Sequence, residues 1–404
     1  MKEAVFLQEV KEIQLLKNAL TLLDWDSSTG MPEKSSPFRG EVEGYLTGLY
    51  FERSIGPVIQ EALAYFETRP EELSELGKLV FEKVKEEYAL NKNVPAERMQ
   101  EYVKVLNQAH TDWLKARAAQ DFGLLEETLT KVVAFQKEFI PYWQKEEKTP
   151  YDVLLNQFEP GMTVEKLDQV FDQVKQGIQE IRTVLAEKGT PPRTDFLSRK
   201  MTKEQQRRFV IGVVEQLGYD FSKGRLDDTV HPFMTALNRN DARITTRWEE
   251  NNFSMATFGV IHEAGHGMYE QNFDPKFDFT PLSEGASMGI HESQSLFNEI
   301  IIGSNRAFWQ KQYPFFQECA EGTFDDISFE DFYASLKETK ASLIRIDSDS
   351  LTYPLHIIIR YEIEKMLFNG SLEVADLPKV WNEKYQEYLG VSPENDLEGV
   401  LQDV

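Results

Sequence analysis

The sequence predicts an all-α fold with one short β element just before its most distinctive helix. Three observations carry this. Apolar residues recur at three- and four-residue spacings, with charges between them, over most of the 404 residues. The breaks between these runs fall on turn chemistry, at Gly30-Met31-Pro32, Glu159-Pro160-Gly161 and Gly189-Thr190-Pro191-Pro192. Residues 225–256 alone lack the helical period and are rich in His, Asn, Arg and Thr.

In chain order, the first helix is read over 5–24, where Val5, Phe6, Val10, Ile13, Leu16, Ala19, Leu22 and Leu23 form one stripe. The same period predicts helices near 58–67, 71–92, 96–119, 123–146, 163–188 and 202–217. Thr163, followed by Val164 and Glu165, has the chemistry of an N-cap. Ile244-Thr245-Thr246-Arg247-Trp248 strings together β-favouring residues and predicts one strand or a pair. The next helix contains His262, with Phe258, Ile261, Gly265 and Tyr269 on its period. A further helix opens at His291, runs through Leu296, Phe297, Ile300 and Ile301, and stops at Gly303. A division into an N-terminal helical lid-like region, 1–200, and a catalytic region, 201–404, within one continuous domain follows from this order.

Composition narrows the function. Acidic residues number 68 and basic residues 44, a formal net charge of −24. Such a surface repels phosphate backbones and anionic lipid heads, so nucleic-acid and membrane partners are discounted. No apolar run approaches the roughly 20 residues that span a bilayer. The N-terminus carries acids where a secretory signal needs an apolar stretch. The lone cysteine, Cys319, cannot form an intrachain disulfide and fits a reducing compartment, with the cytoplasm as the simplest address. Beside Phe315-Phe316 it reads as an inert packed thiol.

Five of the six histidines lie between 231 and 356. The specific signal among them is His262-Glu263-Ala264-Gly265-His266. Residues four apart share a helix face, so both imidazoles can reach one ion, while Glu263 sits one residue round where it can touch a water on that ion. Gly265 and Gly267 are poor helix formers and require a cause, such as the close approach of another element. Catalytic zinc takes three protein ligands and leaves a fourth position open. Glu292, 26 residues after His266 on the following helix, is the candidate third ligand. Glu299, two turns further along the same face, is a candidate to stand behind the ligands. These features predict a zincin-like metallopeptidase with one divalent ion, zinc first, and cobalt or manganese as alternatives.

The chain also resembles a known family, the M32 metallocarboxypeptidases. The resemblance runs from Leu23-Asp24-Trp25-Asp26 to the last residue. It rests on His231-Pro232-Phe233, Asp241-Ala242-Arg243-Ile244-Thr245, His262–His266, His291-Glu292-Ser293-Gln294, Ile344-Arg345-Ile346-Asp347-Ser348-Asp349 and Gly399-Val400-Leu401-Gln402-Asp403. It implies an all-α fold with a deep cleft roofed by N-terminal helices. It implies removal of single residues from peptide C-termini, with broad side-chain tolerance and poor action on C-terminal proline, by an enzyme that is usually a homodimer. Carried over, His262, His266 and Glu292 hold the metal and Glu263 is the general base. Arg345 then takes the substrate's terminal carboxylate, and His231, Asp241 and Arg243 line or brace the cleft.

Two departures from the family pattern stand out. Ser350 occupies a position where the family usually has glutamate. The last motif normally continues into a His-Trp pair and a Gly- and Tyr-rich segment, whereas Val404 is the final residue here. The expectation is therefore a substrate pocket missing its C-terminal part. Two other readings accompany the carboxypeptidase: an oligopeptidase, and a truncated inactive form that binds metal or peptide. From residue chemistry alone, Arg243, Arg247, Arg345 and Arg360 are all candidates for the carboxylate anchor. Tyr353 and His356 are groups that either reach the cleft or pack.

Overall fold

The computed structural model describes residues 1–229, 231–345 and 348–402. Ile346 and Asp347 of one motif, and Asp403 of another, lie outside the described residues. The helices are α1 (Glu3–Thr29), α2 (Ser36–Ser54), α3 (Pro57–Phe66), α4 (Glu75–Lys92), α5 (Ala96–Ala119), α6 (Gly123–Trp143), α7 (Pro150–Phe158) and α8 (Val164–Lys188). They continue with α9 (Lys203–Leu217), α10 (Phe253–Gln271), α11 (Met288–Leu296), α12 (Arg306–Cys319), α13 (Phe329–Ser335), α14 (Tyr353–Asn369) and α15 (Leu377–Tyr388).

The chain divides into two units, each discontinuous: residues 1–91 with 193–336, and residues 92–192 with 337–404. This grouping cuts across the sequence division at residue 200, because the first helices pack with the segment that carries the histidine motif.

In the first unit, Phe6, Val10 and Ile13 of α1 pack on Ile59, Ala62 and Phe66 of α3 and on Val80, Phe81 and Val84 of α4. A larger core gathers Phe209, Val210, Val213 and Val214 of α9, Phe253, Val260, Ile261 and Ala264 of α10, and Trp309, Tyr313, Phe316 and Cys319 of α12. Some of its aromatic rings meet edge-on, as Phe209–Phe316 and Phe253–Phe324 do, and others stack, as Phe209–Trp309 and Phe253–Phe332 do. Cys319 is fully buried there, and burial pushes its thiol up, the environment of an inert packed residue.

The β element is a three-stranded sheet of β1 (Leu226–Asp228), β2 (Met234–Asn238) and β3 (Asp241–Thr246), in the order β1-β3-β2. β1 runs parallel to β3, with Leu226 opposite Ile244, and β2 runs antiparallel to β3, with Met234 opposite the same Ile244. The sequence reading extended the strand to Trp248. The strand ends at Thr246, opposite the last residue of β1, Asp228, and Trp248 Nε1 beyond it donates to Asp228 Oδ1 (2.8 Å).

In the second unit, Ile358, Ile359 and Ile363 of α14 pack on Trp381 and Tyr385 of α15 and on Ile178 of α8. His356 is fully buried here and pairs through Nδ1 with the Tyr385 hydroxyl (3.0 Å). Thr163 caps α8, its side chain accepting from Lys166 N, and Thr149 with Asp152 caps α7 reciprocally. The helix α2 had no counterpart in the sequence reading. Gly40, Gly44 and Gly48 lower its propensity, and Phe38, Val42 and Tyr45 face solvent, so no clean buried stripe exists to read. Among the described residues, no helix is long and apolar enough to cross a membrane.

Candidate metal centre

The site is built in the first unit on α10 and α11. The helix α10 is fixed by its apolar side, where Phe253, Ala256, Val260, Ile261 and Ala264 are buried, and it packs against β3, α9 and α11. The opposite side presents His262 and His266, one turn apart. The helix α11 is started by Ser287, whose hydroxyl accepts from Ile290 N. It carries Glu292 and passes directly into a π-helical stretch, Phe297–Ile302, that holds Glu299. π-turns inside helices are frequent at functional sites.

Two glycines let the surroundings approach α10. A Cβ at Gly265 would stand 2.7 Å from Gln294 O and from Ser295 Cα, so α11 rests directly on the helix at that point. A Cβ at Gly267 would meet the Tyr219 ring at 2.7 Å on the other side. Here close approach is what offsets the poor helix propensity of both residues.

The donor atoms converge. One atom each from His262, His266 and Glu292 lies within 4.8 Å of the others. Glu292 Oε1 is 3.6 Å from His262 Nε2, and Oε2 is 3.3 Å from His266 Nε2. An ion bonded at about 2.1 Å in a tetrahedral array needs ligand atoms about 3.4 Å apart, so this donor set fits a zinc-type ion. The remaining ring nitrogens are held from behind. His262 Nδ1 meets Glu299 Oε2 at 2.8 Å, and His266 Nδ1 meets His291 Nδ1 at 2.6 Å.

The electrostatics follow from this crowding. Burial pushes the Glu263 carboxyl up to about 7, the neighbouring Glu292 and Glu299 charges adding to the effect and His262 opposing it. Burial alone would lower His262, but the Glu299 hydrogen bond and charge, with Glu292 and Glu263, raise it on balance. Burial raises and the two histidines lower Glu292, which ends below the usual carboxylate range.

The other sequence candidates separate. Asp241 and Arg243 form a two-pronged pair at the start of β3, Nε to Oδ1 at 2.7 Å and Nη2 to Oδ2 at 2.8 Å. The guanidinium of Arg243 also lies over the Trp25 ring of α1, 4.4 Å from its centroid, while Arg225 lies 5.2 Å from the same ring. Arg243 is thus a clamp between α1 and the sheet, a use invisible in sequence. His231 is exposed, and the neighbouring Phe233 is tied to Thr245 through both its N–H and its carbonyl. Arg247 bonds Glu249. Arg345 and Arg360 belong to the second unit, where Arg345 donates to the Tyr353 hydroxyl at 3.1 Å and its backbone N–H to Gln402 Oε1 at 3.0 Å.

The sequence reading placed His291 in a motif and at a helix start but gave neither it nor Glu270 a place behind His266. The available signal was spacing: Glu270 lies four residues after His266, and His291 immediately precedes Glu292.

The family described as Carboxypeptidase Taq (M32) metallopeptidase matches residues 5–404. The chain is 46% identical to Carboxypeptidase 1 of Bacillus subtilis (strain 168), covering 100% of this chain and 80% of that protein. It is 35% identical to Thermostable carboxypeptidase 1 of Thermus thermophilus, over 98% of this chain and 79% of that one. Among solved structures, the M32 carboxypeptidase from Deinococcus radiodurans R1 superposes with a TM-score of 0.94 at 34% identity, covering 98% of this chain and 80% of the other.

Proposed function

The chain belongs to the M32 family of metallocarboxypeptidases, and on that premise we propose that it releases single residues from peptide C-termini at an ion held by His262, His266 and Glu292. The observation that carries the assignment is the convergence of these three donors within 4.8 Å, with Glu263 buried beside them. Two imidazoles and one carboxylate suit zinc, with cobalt or manganese as replacements. A divalent ion bound there supplies Lewis acidity, polarising the scissile carbonyl and making a water a stronger acid.

The chain's own groups do the rest. Glu263 takes the proton of the attacking water and returns it to the leaving amine. Glu299 holds His262 so that Nε2 faces the ion. Arg243, paired with Asp241 and lying over Trp25, braces the central strand β3 beside α10, and His231 lines the substrate's path.

For the terminal carboxylate we assign Arg345, whose planar fork matches it. The family resemblance supports broad side-chain tolerance, poor action on C-terminal proline and a homodimer. The lone Cys319 supports a reducing compartment, the cytoplasm.

A matched pair of peptides tests this reading, one with a free C-terminus and one amidated. A carboxypeptidase releases the last residue of the first and leaves the second intact. Internal cleavage of both would establish the oligopeptidase instead, and bound zinc with no release from either would establish an inactive metal-binding form.

A further inference from the structure

Behind His266 stands a second imidazole and, behind that, a buried carboxylate. His266 Nδ1 is 2.6 Å from His291 Nδ1, and His291 Nε2 is 2.8 Å from Glu270 Oε1. We propose that His291 and Glu270 are positioning residues that fix the ring orientation and tautomer of the metal ligand His266. This rests on the reading that His262, His266 and Glu292 hold the ion.

The proton positions follow in sequence. A ligand that offers Nε2 to an ion carries its proton on Nδ1. That N–H needs an acceptor, and the atom it meets is His291 Nδ1. His291 therefore keeps a lone pair on Nδ1 and its proton on Nε2, which donates to the Glu270 carboxylate. Every nitrogen in the chain then has one role, and only one tautomer of each ring satisfies all of them.

The surroundings are shaped for this arrangement. Glu270 is 6% exposed, a carboxylate that needs a partner where it sits. It lies four residues after His266 on α10, so the relay leaves that helix at His266, crosses to His291 beside Glu292, and returns one turn further on. Tyr269 packs edge-on against the His291 ring at 5.3 Å between centroids, and its hydroxyl accepts from Ala286 N at 3.3 Å. A Cβ at Gly285 would stand 2.6 Å from His291 Cδ2, so a side chain there would displace the ring. The second histidine ligand differs, since His262 reaches its carboxylate, Glu299, directly.

The geometry makes His291 an acceptor toward His266, and this separates it from a ring that merely fills space. Asparagine at 291 can offer Oδ1 near the place of the ring Nδ1, whereas leucine offers volume and no acceptor. The experiment measures zinc affinity by chelator competition, and the visible absorption of the cobalt-loaded protein, for His291→Leu, His291→Asn, Glu270→Gln, His266→Ala and the native chain.

His291→Leu should bind zinc about 10–100-fold more weakly and alter the cobalt spectrum. His291→Asn should recover most of that affinity, and Glu270→Gln should fall between. Native affinity and spectrum in His291→Leu, with the ion lost in His266→Ala, would overturn the relay and leave the metal site standing. Equal losses in His291→Leu and His291→Asn would also overturn it, by making the ring's shape the cause. Native zinc affinity in His266→Ala would overturn the metal reading itself. Should His291→Leu fail to fold, Glu270→Gln decides, with undiminished affinity counting against the relay.

Discussion

Replacing Gly265 by alanine probes how the helices that carry His262, His266 and Glu292 are held together. The new Cβ would stand 2.7 Å from both Gln294 O and Ser295 Cα, and 3.1 Å from Asn298 Nδ2. Ordinary contact between carbon atoms is about 3.5 Å or more, so α10 and α11 must separate by roughly 0.8 Å. Two effects on stability oppose each other. Alanine in a helix interior gains about 1 kcal/mol over glycine. Overpacking against backbone, which cannot swing aside, costs about 1–3 kcal/mol. The net expectation is a loss of about 0–2 kcal/mol.

The effect on metal should be larger than that on stability. Glu292 lies on the displaced helix and His262 and His266 on the other, whereas metal–ligand distances tolerate only about ±0.2 Å. Gly259 on the same helix is the control, because its Cβ would meet nothing within 4 Å. Gly259→Ala should gain about 0.5–1 kcal/mol and keep native affinity. Denaturant unfolding of the apoprotein and zinc titration by chelator competition read both quantities. Native zinc affinity in Gly265→Ala would refute the claim that close helix contact positions Glu292.

Further outcomes follow from other parts of the structure. Glu299→Ala should weaken zinc binding about 10–100-fold by releasing His262 Nδ1, which titration of the folded variant checks. Trp25→Ala should cost about 3–5 kcal/mol in urea unfolding, since it removes a buried ring over which Arg243 lies. Hydrogen bonds from Gln108, Lys115 and Thr128 hold Asp112 of α5 down to about 2, against an ordinary 3.8. A depressed carboxyl contributes stability that is present above pH 3.8 and is lost as pH falls toward 2. Asp112→Asn should therefore flatten the acid side of the stability profile over that window, and an unchanged slope would show that the bonds are not maintained in solution.

Much of the architecture was legible because it is local. The period of the N-terminal helices, the Thr163 cap and the stop at Gly303 are written in short-range residue order. His262 and His266 are readable because helix geometry alone places them together, and Glu299 because it repeats the face of Glu292. The rest depends on contacts between distant segments. That Arg243 spends its charge on Asp241 and its face on Trp25 follows from bringing residue 25 to residue 243, which no local pattern states. The role of Gly265 was legible as a requirement for close approach, but not which element approaches. The helix α2 escaped notice because its apolar residues face outward and its glycines argue against it. The relay through His291 escaped because its members alternate between two helices.

The most direct test strips the protein of divalent ions with a chelator, reloads it with zinc, and follows release of the last residue from an unblocked peptide, with Glu263→Gln beside the native chain. The stripped protein should be inert. The reloaded native chain should bind one ion and release the residue, and Glu263→Gln should bind its ion and release nothing. Equal release by the stripped and reloaded protein, or native turnover by Glu263→Gln, would contradict a metal-centred peptidase in which Glu263 carries the proton.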